Sequence, residues 1–261
     1  MIKLVATDMD GTLLNSRKEV PQEFEPWVLA HPGIKTVIAS GRQYFTLEKD
    51  FLPIRDKLIF VAENGGLVYD HQQVVYRNTM EKRDLRNCLA LLKTVPYATP
   101  ILCGETGAFV VPDGSQELLD NASMYYEKLD RVGDLLPLTD RMDFVKIAVF
   151  FSGKHAEEMY PRLDHLGPNV VSVLSGDSWV DLQNKTVNKG VAIQAIQKRY
   201  NIKPEECAAF GDYLNDYQML QVCGESYCMK NGHEDLKKIA KHVTEYTNDE
   251  NGVMRILDNI V

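Results

Sequence analysis

The candidate catalytic and ligand-binding side chains of this chain lie where short apolar runs end. Asp8 and Asp10, separated by one residue, follow such a run near the start of the chain. Ser40 and Arg42 follow a second run, and two carboxylates and an amide follow a late one. In chain order the set is Asp8, Asp10, Ser40, Arg42, Asp212, Asn215 and Asp216, and Lys189 opens the helical segment before the last run.

Carboxylates gathered from these positions into one small volume could not all stay ionised unaided, because like charges at short range raise one another's pKa. A hard divalent cation relieves the repulsion, and an all-oxygen site suits Mg²⁺ better than zinc. Lys189 and Ser40 add a cation and a hydroxyl donor, which a metal does not need but a group with several anionic oxygens does. The residue types therefore indicate a site for phosphoryl transfer.

The elements that carry these residues alternate regularly between strand and helix. In open α/β sheets, ligands bind beyond the carboxyl ends of the strands, where a glycine such as Gly11 can turn the chain sharply. We therefore predict an α/β fold built on a doubly wound, mostly parallel sheet. Buried strands are predicted near residues 4–7, 34–39, 58–62 and 207–210, and helices over 43–51 and 188–200.

This alternation of strand and helix stops near Met80 and resumes near residue 186. The intervening segment has an α+β character and is predicted to be an inserted cap domain at 81–185, with the core formed by 1–80 and 186–261. Its strand candidates are 109–111, 144–151, 170–174 and 179–182, and its helix candidates are 82–94, 116–129 and 156–166.

Bulk properties exclude several functional classes. The 261 residues are 44% hydrophobic and 25% charged, as in ordinary globular proteins. The sequence contains no run of about eighteen apolar residues, so no membrane span is predicted. A formal net charge of −8 disfavours nucleic acid and anionic membranes as partners. Five scattered cysteines without C-x-x-C argue against a disulfide framework or a zinc site. With no secretion signal, we expect a cytoplasmic protein, monomeric or weakly self-associating.

These motifs resemble the four motifs of the haloacid dehalogenase (HAD) superfamily, in order and at workable separations. The segments concerned are Asp8-Met9-Asp10-Gly11-Thr12, then Ser40, Lys189 and Gly211-Asp212-Tyr213-Leu214-Asn215-Asp216. Residues 38–42, 63–65, 188–190 and 251–253 resemble its Cof-like sugar-phosphate phosphatase branch. In that branch a mixed α/β cap lies between the second and third motifs, which is where the alternation of strand and helix stops in this chain. The resemblance implies that this cap sets substrate specificity.

The resemblance also implies a catalytic role for the first motif. Asp8 is expected to attack phosphorus and become an aspartyl-phosphate. Asp10 is expected to protonate the leaving alkoxide and then take a proton from water, so its pKa should be raised by its acidic neighbours. Mg²⁺ would bind a carboxylate oxygen of Asp8, the backbone carbonyl of Asp10 and a carboxylate oxygen of Asp212.

Other matching positions are implied to bind phosphate or substrate: Ser40, Gly41, Arg42, Lys189 and Asn215. Asn215 could instead contact a metal-bound water. For Arg42 two readings stay open, since it could reach the substrate or brace its loop. Ser40 could instead cap a helix. Asp216 would orient the lysine or a metal-bound water, and Thr12 would support these residues without contacting the substrate. Asn64 is interpreted as a turn former before Gly65.

The leading hypothesis is a hydrolase of phosphoric monoesters: a Mg²⁺-dependent phosphatase of small phosphorylated metabolites, with sugar phosphates favoured. A phosphomutase shares the aspartyl-phosphate but returns the phosphoryl group to sugar. A sugar-phosphate sensor would keep the fold and bind without turnover, although a pure binder has no use for both Asp8 and Asp10.

Overall fold

The computed structural model of this protein describes residues 1–112, 114–163 and 166–260. The strands are β1 (Leu4–Asp8), β2 (Lys35–Ala39), β3 (Leu58–Ala62), β4 (Leu67–Asp70), β5 (Gln73–Arg77), β6 (Ala98–Gly104), β7 (Gly107–Val110), β8 (Leu129–Arg131), β9 (Phe144–Phe151), β10 (Val170–Gly176), β11 (Trp179–Asn184), β12 (Cys207–Gly211), β13 (Glu225–Cys228) and β14 (His242–Val243). The helices are α1 (Phe24–Ala30), α2 (Tyr44–Asp50), α3 (Lys82–Leu92), α4 (Gln116–Tyr125), α5 (Leu138–Arg141), α6 (Ala156–Met159), α7 (Lys189–Tyr200), α8 (Tyr217–Gln221), α9 (Glu234–Ile239) and α10 (Gly252–Ile260).

The described chain divides into two compact units, one of residues 1–76 with 188–261 and one of residues 77–187. The inserted unit therefore extends a few residues past 81–185 at each end. Met80 belongs to it because its side chain lies in that unit's core and its N–H bonds the carbonyl of Phe144 at 2.8 Å. At the other end, the Val187 N–H bonds the carbonyl of Asn184, the last residue of β11, at 2.9 Å.

The sheet of the first unit has the order β14-β13-β12-β1-β2-β3-β4-β5. β1 lies between β12 and β2 and pairs in parallel with both, Ala6 facing Ala209 and Val37. The chain runs outward from β1 through β2 to β3 on one side and from β12 to β14 on the other. The strand order thus reverses between β1 and β12, which is where α/β sheets open their ligand crevice.

Helices cover both faces of this sheet, which explains why β1 is an unbroken buried run rather than an alternating one. On one face Ala192, Ile193 and Ile196 of α7 join Leu4 and Ala6 in a single core. On the other face Phe60 of β3 contacts the aromatic rings of Tyr44 and Phe51, with centroids 5.7 and 6.2 Å away. The predicted doubly wound, mostly parallel α/β core is confirmed.

The sheet of the inserted unit has the order β10-β11-β9-β6-β7-β8 and is antiparallel apart from the β7–β8 pair. α3 buries Leu85, Cys88 and Leu89 in a core with Ile147 of β9. α4 contributes Leu118 to a second core. This α+β arrangement agrees with the predicted character of the cap.

Several predicted elements differ in detail. β6 was not predicted. It contains Pro100, and proline is rare in a strand interior; the strand tolerates it here since the β7 pairing begins only at Ile101. The helix predicted over 156–166 is shorter in the structure, where it consists of α6 alone. A 3₁₀ turn containing Pro161 follows it. Residues 164 and 165 of that prediction lie outside the described residues.

Within the described ranges, no helix has both the length and the apolar character needed to cross a bilayer.

Candidate active site

The candidate site lies where the strand order reverses. Asp8 is the last residue of β1, and Asp212 comes directly after β12, the neighbouring parallel strand. Carboxyl ends of adjacent parallel strands meet at one edge of a sheet, so the pairing of β1 with β12 brings these two carboxylates together.

Lys189 enters the same volume from the first turn of α7. The side chain of Asn188 caps this helix by accepting a hydrogen bond from the Val191 N–H at 2.9 Å. The fully buried Lys189 Nζ lies 2.5 Å from Asp8 Oδ1 and 2.6 Å from Asp216 Oδ1. Burial lowers the lysine's pKa, but the two carboxylates raise it above the ordinary value, so the ammonium stays charged.

Both carboxylate oxygens of Asp216 accept hydrogen bonds from protein donors. Its Oδ1 accepts from Lys189, and its Oδ2 accepts from the backbone N–H groups of Asp212 at 3.0 Å and Tyr213 at 3.2 Å. Asp216 therefore holds the lysine and shapes the loop after β12.

The loop after β1 packs closely against Asp212. The Thr12 hydroxyl donates to Asp212 Oδ1 at 2.9 Å. Gly11 has φ +83°, and a Cβ there would lie 2.3 Å from Asp212 Oδ2. Both the backbone conformation and the space thus require glycine at this position of the D-x-D-G-T motif.

The resulting cluster is electrostatically unfavourable by itself. One carboxylate oxygen from each of Asp8, Asp212 and Asp216 lies within 4.8 Å of the others. Burial raises the pKa of Asp8 well above its ordinary value despite Lys189. Burial and the charge of Asp216 raise the pKa of Asp212 to about 6. Because the oxygens of Asp216 already have donors, Asp8 and Asp212 are the carboxylates left for a hard cation, and their chemistry suits one.

The pKa of Asp10 differs from the prediction. Its carboxylate accepts two hydrogen bonds from Arg42, Nε to Oδ2 at 2.9 Å and Nη2 to Oδ1 at 2.7 Å, and one from Lys18 Nζ at 2.7 Å. Burial raises the pKa of Asp10, but these two cations outweigh it and the pKa lies below its ordinary value. The expected rise was wrong, because the side chain faces two cations and not the acidic cluster. Arg42 also bonds Asp50 at 3.1 Å and so braces its loop.

Ser40 and Gly41 lie at the end of β2, beside β1. Ser40 is buried, and its Oγ accepts from the backbone N–H of Arg42 at 3.2 Å. It does not cap α2, whose N-cap position is Gln43. Its hydroxyl therefore supports the turn that follows β2.

Three polar residues at these loops lie outside the predicted set. Asn64, after β3, accepts a hydrogen bond from the exposed Asn215 at 3.2 Å. Asn231, after β13, donates to the Gly11 carbonyl at 2.8 Å. Both follow strand ends, which is the signal that could have identified them. Lys18 has no such signal, because its contact with the site depends on the path of the loop after β1.

A sheet reversing at β1 and β12, with a D-x-D-G-T loop and a buried lysine among carboxylates, defines the HAD class of hydrolases. Residues 5–257 match the family model of haloacid dehalogenase-like hydrolases. The chain belongs to this family.

Similar proteins indicate which kind of hydrolase this is. A relative in Escherichia coli K12, named 5-amino-6-(5-phospho-D-ribitylamino)uracil phosphatase YbjI, is 31% identical over 100% of this chain and 96% of its own. Phosphatase YwpJ of Bacillus subtilis 168 is 30% identical over the full length of both. The crystal structure of SMU.1108c from Streptococcus mutans UA159 has a TM-score of 0.84, with 29% identity over 99% and 98% of the two chains. The predicted HAD-type phosphatase is confirmed.

Proposed function

We propose that this protein is a Mg²⁺-dependent phosphatase that hydrolyses phosphate monoesters of small metabolites, with sugar phosphates as the favoured class. The observation that carries the proposal is the buried contact of Lys189 with Asp8 and Asp216, with Asp212 in the same cluster. A charged lysine beside a carboxylate nucleophile serves a reaction in which anionic oxygens arrive at that carboxylate.

Asp8 and Asp212 are the carboxylates that would hold the metal, with the backbone carbonyl of Asp10 as the further ligand implied by the family resemblance. When bound, Mg²⁺ supplies charge neutralisation for the phosphoryl group and for the carboxylates around it.

Asp8 is the proposed nucleophile. Lys189 holds its Oδ1 at 2.5 Å, which leaves Oδ2 to attack phosphorus. The new bond joins Asp8 to phosphorus, and the bond from phosphorus to the leaving oxygen breaks. Ser40, Lys189 and Asn215 are the proposed donors to the phosphate oxygens.

Asp10 is the proposed proton carrier. It protonates the leaving oxygen in the first step and takes the proton from the attacking water in the second, which releases phosphate and restores Asp8. The pairing with Arg42 and Lys18 favours the ionised form of Asp10, the form that accepts the proton from water. Proton donation in the first step therefore requires this pairing to loosen.

The substrate class is supported by one of the relatives. The Escherichia coli protein is named for a substrate in which phosphate esterifies a ribityl group, a small polyol. We assign the choice of leaving group to the inserted unit of residues 77–187, as the family resemblance implies.

Asp8→Asn tests the proposal, because an amide cannot replace the carboxylate as nucleophile. We expect the purified wild-type protein to release phosphate from p-nitrophenyl phosphate and from a panel of sugar phosphates in the presence of Mg²⁺, and to lose activity in EDTA. Asp8→Asn should release none above background.

Activity of Asp8→Asn at the wild-type rate would contradict the assignment. Isomerised sugar phosphate in place of free phosphate would identify a phosphomutase, and binding without turnover would identify a sensor.

A further inference from the structure

The turn between β3 and β4 has an unusual backbone. Glu63, Asn64 and Gly65 have φ values of 51°, 53° and 101°, so three consecutive residues are left-handed. Two of them carry a Cβ, for which this region is unfavourable. Such conformations persist only where surrounding structure holds them, and they cluster at functional sites.

Backbone contacts join this turn to two of the predicted phosphate-binding loops. The Asn64 N–H donates to the Ser40 carbonyl at 3.0 Å, and the Glu63 N–H donates to the Arg42 carbonyl at 3.1 Å. At Gly65, an added Cβ would lie 2.2 Å from the carbonyl of Asn188, the residue before Lys189. The turn is therefore fixed against the loop after β2 and the start of α7.

The side chain of Asn64 is held at one end only. Its Oδ1 accepts from Asn215 Nδ2 at 3.2 Å. Its Nδ2 lies beside Gly41, where an added Cβ would come within 3.0 Å of it. In the part of the chain that the structure describes, no group accepts a hydrogen bond from this Nδ2, and the residue is half-buried. A fixed donor thus remains unused beside Ser40, Gly41 and Asn215.

We propose that Asn64 is a phosphate-binding residue, donating from Nδ2 to an oxygen of the transferred phosphoryl group. This inference rests on the proposed phosphatase function, and it replaces the interpretation of Asn64 as a turn former alone. A neutral amide suits the position because it adds a donor without adding charge to an acidic cluster. The missing side chain of Gly41 leaves the room that this amide needs.

Two substitutions separate the possible roles of Asn64. Asn64→Gly keeps the left-handed backbone without strain and deletes the amide. Asn64→Asp keeps the size and the acceptor for Asn215 but deletes the donor. Asn201→Gly is the matched control, because Asn201 has the same φ of 53°, is exposed and ends α7 away from the site.

Two measurements are made on each variant in Mg²⁺ buffer: kinetics with p-nitrophenyl phosphate and the affinity for inorganic phosphate by calorimetry. We expect Asn64→Gly to lower kcat/KM and phosphate affinity by about 10- to 100-fold, the range for one hydrogen bond to a charged group. Asn64→Asp should lose at least as much, since its carboxylate repels phosphate. Asn201→Gly should match the wild-type protein in both.

Wild-type phosphate affinity in Asn64→Gly would overturn the inference. So would wild-type affinity in Asn64→Asp, because it would show that accepting from Asn215 is the only role. A wild-type protein that hydrolyses no phosphate ester would instead count against the proposed function, and the calorimetric comparison would still decide the role of Asn64.

Discussion

At the scale of single residues, the carboxylate of Asp212 is placed where folding gains nothing from its charge. It lies in a partly buried position beside Asp216 and Asp8, and the Thr12 hydroxyl and Lys189 offset only part of the resulting rise in its pKa. Such an arrangement is expected where a residue serves a ligand and not the fold.

Asp212→Asn should therefore stabilise the metal-free protein while abolishing activity. The folded-state pKa of about 6 lies above the ordinary 3.8, so the native protein keeps a proton that the unfolded chain has lost. The free energy of unfolding of the wild-type protein thus falls as the pH rises from about 4 to about 6. In EDTA at pH 7.5, urea unfolding should show Asp212→Asn more stable by about 1–3 kcal/mol, with the difference largely gone at pH 4.

The exposed Asp258→Asn is the control for that measurement and should change nothing. A wild-type protein more stable than Asp212→Asn in EDTA at pH 7.5 would contradict the account. Added Mg²⁺ should stabilise the wild-type protein and leave Asp212→Asn unaffected, since ligand binding to the native state raises stability by mass action.

At the scale of elements, three consecutive residues at the start of α7 have three different structural roles. Asn188 caps the helix, Lys189 reaches the acidic cluster, and Gly190 packs against α8. A Cβ at Gly190 would lie 2.5 Å from the backbone carbonyl of Gln218, so the two helices approach closely only because this residue has no side chain.

Gly190→Ala should separate α7 from α8 and move Lys189 with it. We expect a loss of about 1–3 kcal/mol in the free energy of unfolding, typical of overpacking, and a lower kcat. Gly33→Ala is the matched control, because no atom lies within 4 Å of its added Cβ, and it should stay within about 0.5 kcal/mol of wild type. Equal stability and activity in the two variants would refute the close packing.

At the scale of the whole molecule, each unit has its own core. The first unit is built from two distant segments of the chain, whereas residues 77–187 are continuous. The sheet in that continuous unit packs against a helix on each face, α3 on one side and α4 on the other.

The segment 77–187 should therefore fold by itself. Expressed alone, it should unfold in one cooperative thermal transition followed by circular dichroism, and it should hydrolyse no phosphate ester because it lacks Asp8. A gradual change in signal without a transition would show that its core depends on the rest of the chain.

Much of the site could be predicted from local pattern. The run before Asp8 and the run before Asp212 identify two strand ends, and parallel pairing brings these ends together whatever the details of packing. The helix start that carries Lys189 is equally local. The environment of Asp10 was not predictable in this way, because its partners Lys18 and Arg42 are 8 and 32 positions away. Its pKa moved in the direction opposite to the expected one for that reason.

Local sequence is enough to predict which side chains stand at strand ends, since apolar runs and turn residues act over a few positions. Which of these side chains contact one another depends on the tertiary structure. Asn64 and Asn215 are 151 positions apart, and Lys189 and Asp8 are 181 apart. Such contacts depend on how whole elements pack, and that packing is settled by the sum of many weak interactions across the core.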